Sequence, residues 1–147
     1  TGAEASIAPA FTRDYIMPSS DTAPYNPHEG HPQIAGTFAA FFRMVRQEGN
    51  LDLCEAVYRA TLLPAQVMGF SRKGRMRVGA DADIAVFDPA TIRDNAAYVD
   101  EGEPDAPPDG IDYVILGGKV AVRGHEVACG NAGVAVKCCK NCGCDRA

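Results

Sequence analysis

The sequence predicts an α/β chain in which helices fill the middle and strands the end, with the change of pattern near residue 70. Three observations predict it. Phe38, Phe41, Phe42 and Val45 recur at i, i+3, i+4 and i+7, the spacing that lines up one face of a helix. Asp52 with Glu55 three positions later has the form of a helix start, a capping box with Asp in place of Ser or Thr. Further on, two apolar runs flank Gly117-Gly118, a two-residue hairpin signal because both turn residues tolerate positive φ.

Taken in order, residues 1–35 are rich in Pro, Ser, Asn, Gly and His and carry no long periodicity. Within them Tyr15-Ile16-Met17 is a short apolar run closed by Pro18-Ser19-Ser20-Asp21, the pattern of a brief buried strand and a loop. The first helix takes Thr37 as N-cap and Gly49 as stop; its phenylalanine stripe is core, and Arg43, Arg46 and Gln47 face away. The second starts at Asp52, with Leu51 as hydrophobic staple and Leu53, Val57 and Ala60 as its apolar face. Pro64 suits the first turn of a third helix, closed by Gly69. Ile84-Ala85-Val86-Phe87 is a compact strand ended by Asp88-Pro89, and residues 100–110 form an acidic, proline-rich connection. Tyr113 to Leu116 and Lys119 to Val122 make the hairpin. Val127 and Val134-Ala135-Val136 add short edges.

Composition limits the function classes. The chain has 147 residues, 46% hydrophobic and 22% charged, with a net charge of −5, enough for one domain with a core. The acidic balance argues against a nucleic-acid surface. Arg72, Lys73, Arg75 and Arg77 do cluster, and read as a solvated turn between two elements. No run approaches the roughly 18 apolar residues of a membrane span, so no membrane partner is expected. The chain opens on Thr1-Gly2-Ala3-Glu4 without a leader pattern or initiator Met, as a processed or truncated product would. Of six cysteines, Cys138, Cys139, Cys142 and Cys144 crowd the last ten residues rather than spreading as a disulfide framework does; Cys54 reads as a buried helical thiol. The expected compartment is reducing and cytoplasmic.

The order of elements and the words along it resemble the amidohydrolase superfamily. Thr61-Leu62-Leu63-Pro64-Ala65, Met68-Gly69-Phe70 and Lys73-Gly74-Arg75 are similar to one passage of that family. Val78-Gly79-Ala80-Asp81-Ala82-Asp83-Ile84-Ala85-Val86-Phe87-Asp88 resembles its most specific signature, and Gly118-Lys119-Val120 with Gly124 its closing hairpin. Ser20-Asp21, His31-Pro32, Gly36-Thr37-Phe38 and the stretch from Pro89 to Asp94 resemble the D-aminoacylase branch, the N-acyl-D-amino-acid deacylases. The similarity runs from about residue 15 to 136.

This resemblance implies the C-terminal end of a (β/α)8 barrel followed by part of a small β-sandwich domain. Residues 1–70 would hold the last barrel strand and helices, 71–137 the C-terminal part of the β domain and 138–147 a cysteine-rich tail. The active site of such a barrel lies at the C-terminal ends of its strands. There one or two divalent metals, usually Zn2+, activate a water for attack on an amide carbonyl. Asp21 is then the catalytic carboxylate, able both to touch the metal and to shuttle a proton to the leaving nitrogen. His31 lines the substrate pocket. Taken alone, Asp21 reads as a turn or N-cap aspartate and His31 as a hydrogen-bonded loop histidine. Asp81 and Asp83 set a turn before the strand. Two positions depart from the family's habit: Gln33 stands where Arg is common after His-Pro, and Thr22 where Gly is common after Ser-Asp.

A zinc site needs three or four converging ligands. Asp21, His28 and His31 are an incomplete set, so the expected metal is bound mainly by residues outside this chain. The expected partners are a missing N-terminal portion of the enzyme and a small-molecule amide substrate, with self-association as the other way to cover exposed barrel surface. Two other readings stand beside this one. One is a dihydroorotase-like cyclic amidohydrolase, because the β-domain signature is shared. The other is a non-enzymatic β-rich module whose tail of four cysteines binds metal.

Overall fold

The computed structural model describes residues 13–21, 25–49 and 51–136. Three helices come first: α1 (Gln33–Glu48), α2 (Leu53–Ala60) and α3 (Leu62–Met68). Four strands follow: β1 (Ile84–Phe87), β2 (Ile111–Leu116), β3 (Lys119–Arg123) and β4 (Glu126–Val127). They form one antiparallel meander in the order β1-β2-β3-β4. The cysteine-rich stretch from Cys138 to Cys144 lies outside the described residues.

α1 begins five residues before the expected start, with Pro32 and not Thr37 at the cap position. Thr37 is inside the helix, where its hydroxyl donates to the Gln33 carbonyl at 2.8 Å. Pro32 precedes the first turn with φ −55°, a torsion its ring fixes in advance and which suits helix entry. Gly49 ends the helix in the left-handed conformation, φ 62°, as expected. The stripe is only partly core: Val45 is buried and Phe41 and Phe42 pack beside it, but Phe38 is 45% exposed.

In α2, Asp52 caps the helix by accepting the Cys54 N–H at 2.8 Å, and Leu51 packs on Ala56 and Val45 as a staple would. Glu55 does not close the capping box. It accepts from Arg59 Nε at 2.7 Å, because an arginine one turn along offers a charged donor where the box offers a backbone amide. The buried face is also different from the expected one. Ala56 and Arg59 are buried, whereas Leu53 and Val57 are exposed. Cys54, on the same first turn, is exposed as well. α3 carries Pro64 in its first turn and ends at Gly69, φ 77°.

The hairpin from β2 to β3 turns at Gly117 and Gly118, φ 55° and 80°, the mirror-image turn that matches strand twist. Two runs do not form strands. Tyr15-Ile16-Met17 is irregular, with Tyr15 69% exposed, and 134–136 belongs to no strand. A strand needs a ladder partner for its N–H and C=O groups, and among the described residues neither run has one.

Residues 72–83 are an ion-pair turn. Arg72 and Lys73 pair with Asp81 at 2.7 and 3.0 Å, and Lys73 also pairs with Asp83. The cationic cluster is therefore partly neutralised rather than simply solvated. Asp83 in addition accepts the Gly117 N–H at 2.8 Å, and Gly118 N–H donates to the Ala82 carbonyl at 3.0 Å. Asp83 thereby ties the turn to the hairpin, the structural role expected for it. The Lys73 hydrogen bond, then the Gly117 N–H, hold its carboxyl below the ordinary range. Asp83 in turn raises Lys73 above 10.5, against partial desolvation.

The helices and strands meet through α1. Arg43 Nε donates to Asp94 at 2.6 Å, and Arg46 Nη1 donates to the Pro89 and Ile92 carbonyls at 3.1 and 2.9 Å. Phe42 meets Phe87 of β1 with ring centroids 4.9 Å apart. Both arginines thus face the β portion and not solvent alone. Among the described residues, no helix is long and apolar enough to cross a membrane.

Gly110 is the tightest junction in this region. Its φ is +78°, and a Cβ there would lie 2.5 Å from the Ile92 nitrogen. Gly110→Ala is expected to cost about 2 kcal/mol or more in denaturant unfolding. Gly49→Ala, at φ +62° in open space, is expected to cost about 1 kcal/mol, for backbone strain alone. For the ion pair the signs differ by partner. The lowered Asp83 contributes stability above its unfolded pKa, and this is lost as pH falls through its depressed folded value. The raised Lys73 contributes below 10.5, and this is lost as pH rises through its higher folded value. Asp83→Asn should flatten both limbs of a melting-temperature profile against pH, and unchanged limbs would remove the pair from the stability balance.

Candidate functional site

Asp21 ends an irregular segment that is anchored from below. The buried Arg59 sends Nη1 to the Arg13 carbonyl at 2.6 Å while Glu55 neutralises it at 2.7 Å. At the other end of the segment, Gln33 Nε2 donates to the Asp21 backbone carbonyl at 2.8 Å. The Asp21 side chain is exposed, and among the described residues no hydrogen bond engages its carboxylate. A carboxylate held by its backbone and left free at its oxygens is suited to accepting and returning a proton.

His31 is a hydrogen-bonded loop histidine with both ring nitrogens engaged. Nδ1 accepts the Gln33 backbone N–H at 3.2 Å, satisfying one of the donors left open at the start of α1. Nε2 lies 3.1 Å from Tyr98 Oη, and the rings meet edge-on with centroids 5.1 Å apart. Tyr98 sits in a tight turn after β1, where its carbonyl accepts the N–H groups of Glu101 and Gly102, both at 2.7 Å. Asp21, Gln33, His31 and Tyr98 are thus linked into one chain of contacts. Sequence reasoning singled out Asp21 and His31 and missed Tyr98 and Arg59. Tyr98 lies in an aperiodic stretch, and Arg59 occupies a helical position where arginine is usually solvated.

Among the described residues the Asp21 carboxylate has no hydrogen-bond partner, but both ring nitrogens of His31 are engaged, so the two do not make a zinc site, which needs three or four ligands. His28, Glu103 and Asp105 do bring one donor atom each within 4.8 Å of one another. The His28 backbone N–H donates to Asp105 at 3.0 Å, and its exposed ring has Nδ1 3.6 Å from the same carboxylate; the group contains neither Asp21 nor His31. An open groove of about 410 Å³ elsewhere is lined by Pro64, Ala65, Met68 and Phe70 with Lys73 and Asp83. It is mostly apolar and includes neither Asp21 nor His31.

Arg59 is the residue on which the placing of the Asp21 segment rests. Arg59→Met keeps the stem's apolar volume and removes the guanidinium. The expected loss is about 1 kcal/mol, the net worth of the bond to the Arg13 carbonyl, because Arg13 is exposed. Glu55 adds little, because its side chain is 37% exposed and regains water. Hydrogen exchange of residues 13–21 should rise more than that of β1–β3, and uniform acceleration would contradict a local anchor.

Residues 13–122 match the Amidohydrolase family. The chain is 38% identical over 109 residues to the N-acyl-D-glutamate deacylase of Alcaligenes xylosoxydans xylosoxydans, covering 74% of this chain and 22% of that protein. It is 36% identical over 83 residues to the D-aminoacylase of the same organism, covering 56% of this chain and 17% of the relative. Among solved structures, the N-acyl-D-glutamate deacylase of Bordetella bronchiseptica, in complex with zinc and a phosphonate mimic of the tetrahedral intermediate, aligns with TM-score 0.58 and 39% identity. That alignment covers 62% of this chain and 19% of that one. A D-aminoacylase structure aligns with TM-score 0.64 and 32% identity over 70% of this chain and 21% of that one; the functional role of a binuclear metal centre has been examined in D-aminoacylase. The chain therefore spans about a fifth of the length of the relatives it matches. It belongs to the amidohydrolase family and is related to the N-acyl-D-amino-acid deacylases.

Proposed function

We propose that this chain is the C-terminal portion of a metal-dependent amidohydrolase that hydrolyses the N-acyl amide bond of D-amino acids or related small amides. Residues 1–70 would complete the barrel, 71–137 the small β domain, and 138–147 a tail. The observation that carries the reading is that the matched stretch, residues 13–122, runs through the Asp21–Gln33–His31 network, with Asp21 held by its backbone and its carboxylate without a hydrogen-bond partner among the described residues. Asp21 takes a proton from the attacking water and returns it to the leaving nitrogen, a task for a positioned carboxylate. His31 borders the same pocket. Zinc, held mainly by residues outside this chain, supplies the activation of water when bound.

The partner in this reading is an N-terminal portion carrying those ligands. Leu53, Val57, Val67, Met68, Met76 and Val78 are exposed here, and covering each large apolar side chain is worth roughly 1.5–3 kcal/mol. A dimer of this chain is the other way to cover them, and sedimentation with and without the upstream portion separates the two.

In the complete protein, Asp21→Asn is expected to lower kcat for an N-acetyl-D-amino acid about 10²–10⁴-fold with the melting temperature held. An unchanged kcat would remove Asp21 from the chemistry. The 147-residue chain by itself should show no deacylation, and robust zinc-dependent turnover by it would overturn the reading that its catalytic set is incomplete.

A further inference from the structure

The hydrogen bonds around His31 have a direction. The Gln33 backbone N–H can only donate, so His31 Nδ1, 3.2 Å away, is the accepting nitrogen. A neutral imidazole with Nδ1 bare carries its proton on Nε2. That proton points at Tyr98 Oη, 3.1 Å off, so the phenol oxygen accepts. Gln33 also uses its side chain: Nε2 donates to the Asp21 carbonyl at 2.8 Å. One residue, the first of α1, therefore ties His31 on one side to Asp21 on the other. Tyr98 is held independently, by the turn in which its carbonyl accepts from Glu101 and Gly102.

We infer that Tyr98 is a positioning residue for Asp21, acting from the β portion by accepting from Nε2–H and so holding the His31 ring against Gln33. A phenol can donate or accept, so the donor-only Gln33 N–H selects the Nε2–H form, and Oη then holds the ring in that place. That form leaves Nδ1 able to receive the Gln33 N–H, which seats Gln33 at the head of α1 with its amide on the Asp21 carbonyl. In the other tautomer Nδ1–H would face the Gln33 N–H donor to donor, and the seat of Gln33 would be lost. Hydrogen bonds in series polarise one another, so the link at Tyr98 is felt at Gln33 and not only at the imidazole. The role given to Asp21 rests on the proposed deacylase reading; the tautomer and the seating of the ring by Tyr98 do not.

The test has two arms. In this chain, ¹⁵N spectra of the His31 ring should show Nδ1 bare and Nε2 protonated. Tyr98→Phe should speed exchange of the Nε2 proton about tenfold or more, loosen the His31 ring, and shift the Asp21 carbonyl carbon and the Gln33 amide. A wild-type Nδ1–H tautomer, or an Asp21 carbonyl unmoved in Tyr98→Phe, overturns the inference. In the complete protein, Tyr98→Phe should lower kcat for an N-acetyl-D-amino acid about tenfold with KM within about twofold, the signature of misplacement at the reacting centre. His31→Asn, whose Oδ1 can replace Nδ1 as acceptor, should keep more activity than His31→Leu. If Asp21→Asn abolishes turnover but Tyr98→Phe does not change it, the inference fails and the deacylase reading stands. If Asp21→Asn changes nothing while the spectra behave as described, the deacylase reading fails and the coupling of Tyr98 to the Asp21 segment stands.

Discussion

The structure depends on α1 being held from both ends and along one side. At its head, Gln33 donates to the Asp21 carbonyl and to His31. Along its length, Gly36 lets the backbone approach Asp94 and Ala96, where a Cβ would already be 3.4 and 3.5 Å away. Further along, Arg43 and Arg46 take Asp94 and two carbonyls of the turn after β1, and Phe42 stacks on Phe87. With the Asp21 segment, β1 and the stretch after it all fixed to one helix, the candidate site inherits its geometry from the β portion even though Asp21 lies far from it in sequence.

Two kinds of charge do different work here. The pairs among Arg72, Lys73, Asp81 and Asp83 are partly exposed, where an ion pair is worth little on its own; their effect is to hold a turn against a hairpin. Arg59 is different. Its guanidinium is nearly fully buried, so its cost in desolvation is offset only because Glu55 and the Arg13 carbonyl both accept from it. That arrangement stabilises a segment without a ladder partner, which explains why residues 13–21 have a fixed place without being a strand. The exposed apolar face of α2 and the buried arginine beside it belong to the same fact: the helix turns its charged side toward this segment and leaves Leu53 and Val57 uncovered.

Much of the fold was legible in local chemistry. Asp52 as a cap, Leu51 as a staple, Gly49 and Gly69 as stops, and Gly117-Gly118 as a turn each satisfy a need set within a few residues. The failures share a cause. Thr37 is as good a cap in isolation as it is an interior helix residue, and Pro32 decided otherwise. Glu55 had two local donors to choose from and took Arg59. Tyr15-Ile16-Met17 has the composition of a strand but lacks a neighbour, and composition cannot supply one. The site divides in the same way: Asp21 and His31 stand out by their surrounding words, whereas Tyr98 becomes meaningful only once its turn is folded against His31.

By itself the sequence determined the stops of α1 and α3, the cap of α2, the hairpin, the division near residue 70 and membership of the amidohydrolase family, because each rests on short-range torsional preferences or on an ordered set of words. Only the tertiary structure decided which face of α2 is buried, that Arg43 and Arg46 grip the β portion, and that the Nε2 of His31 meets Tyr98. Those outcomes depend on pairing donors with acceptors tens of residues apart, and such pairing is settled by which buried or half-buried polar groups find one another when the chain closes.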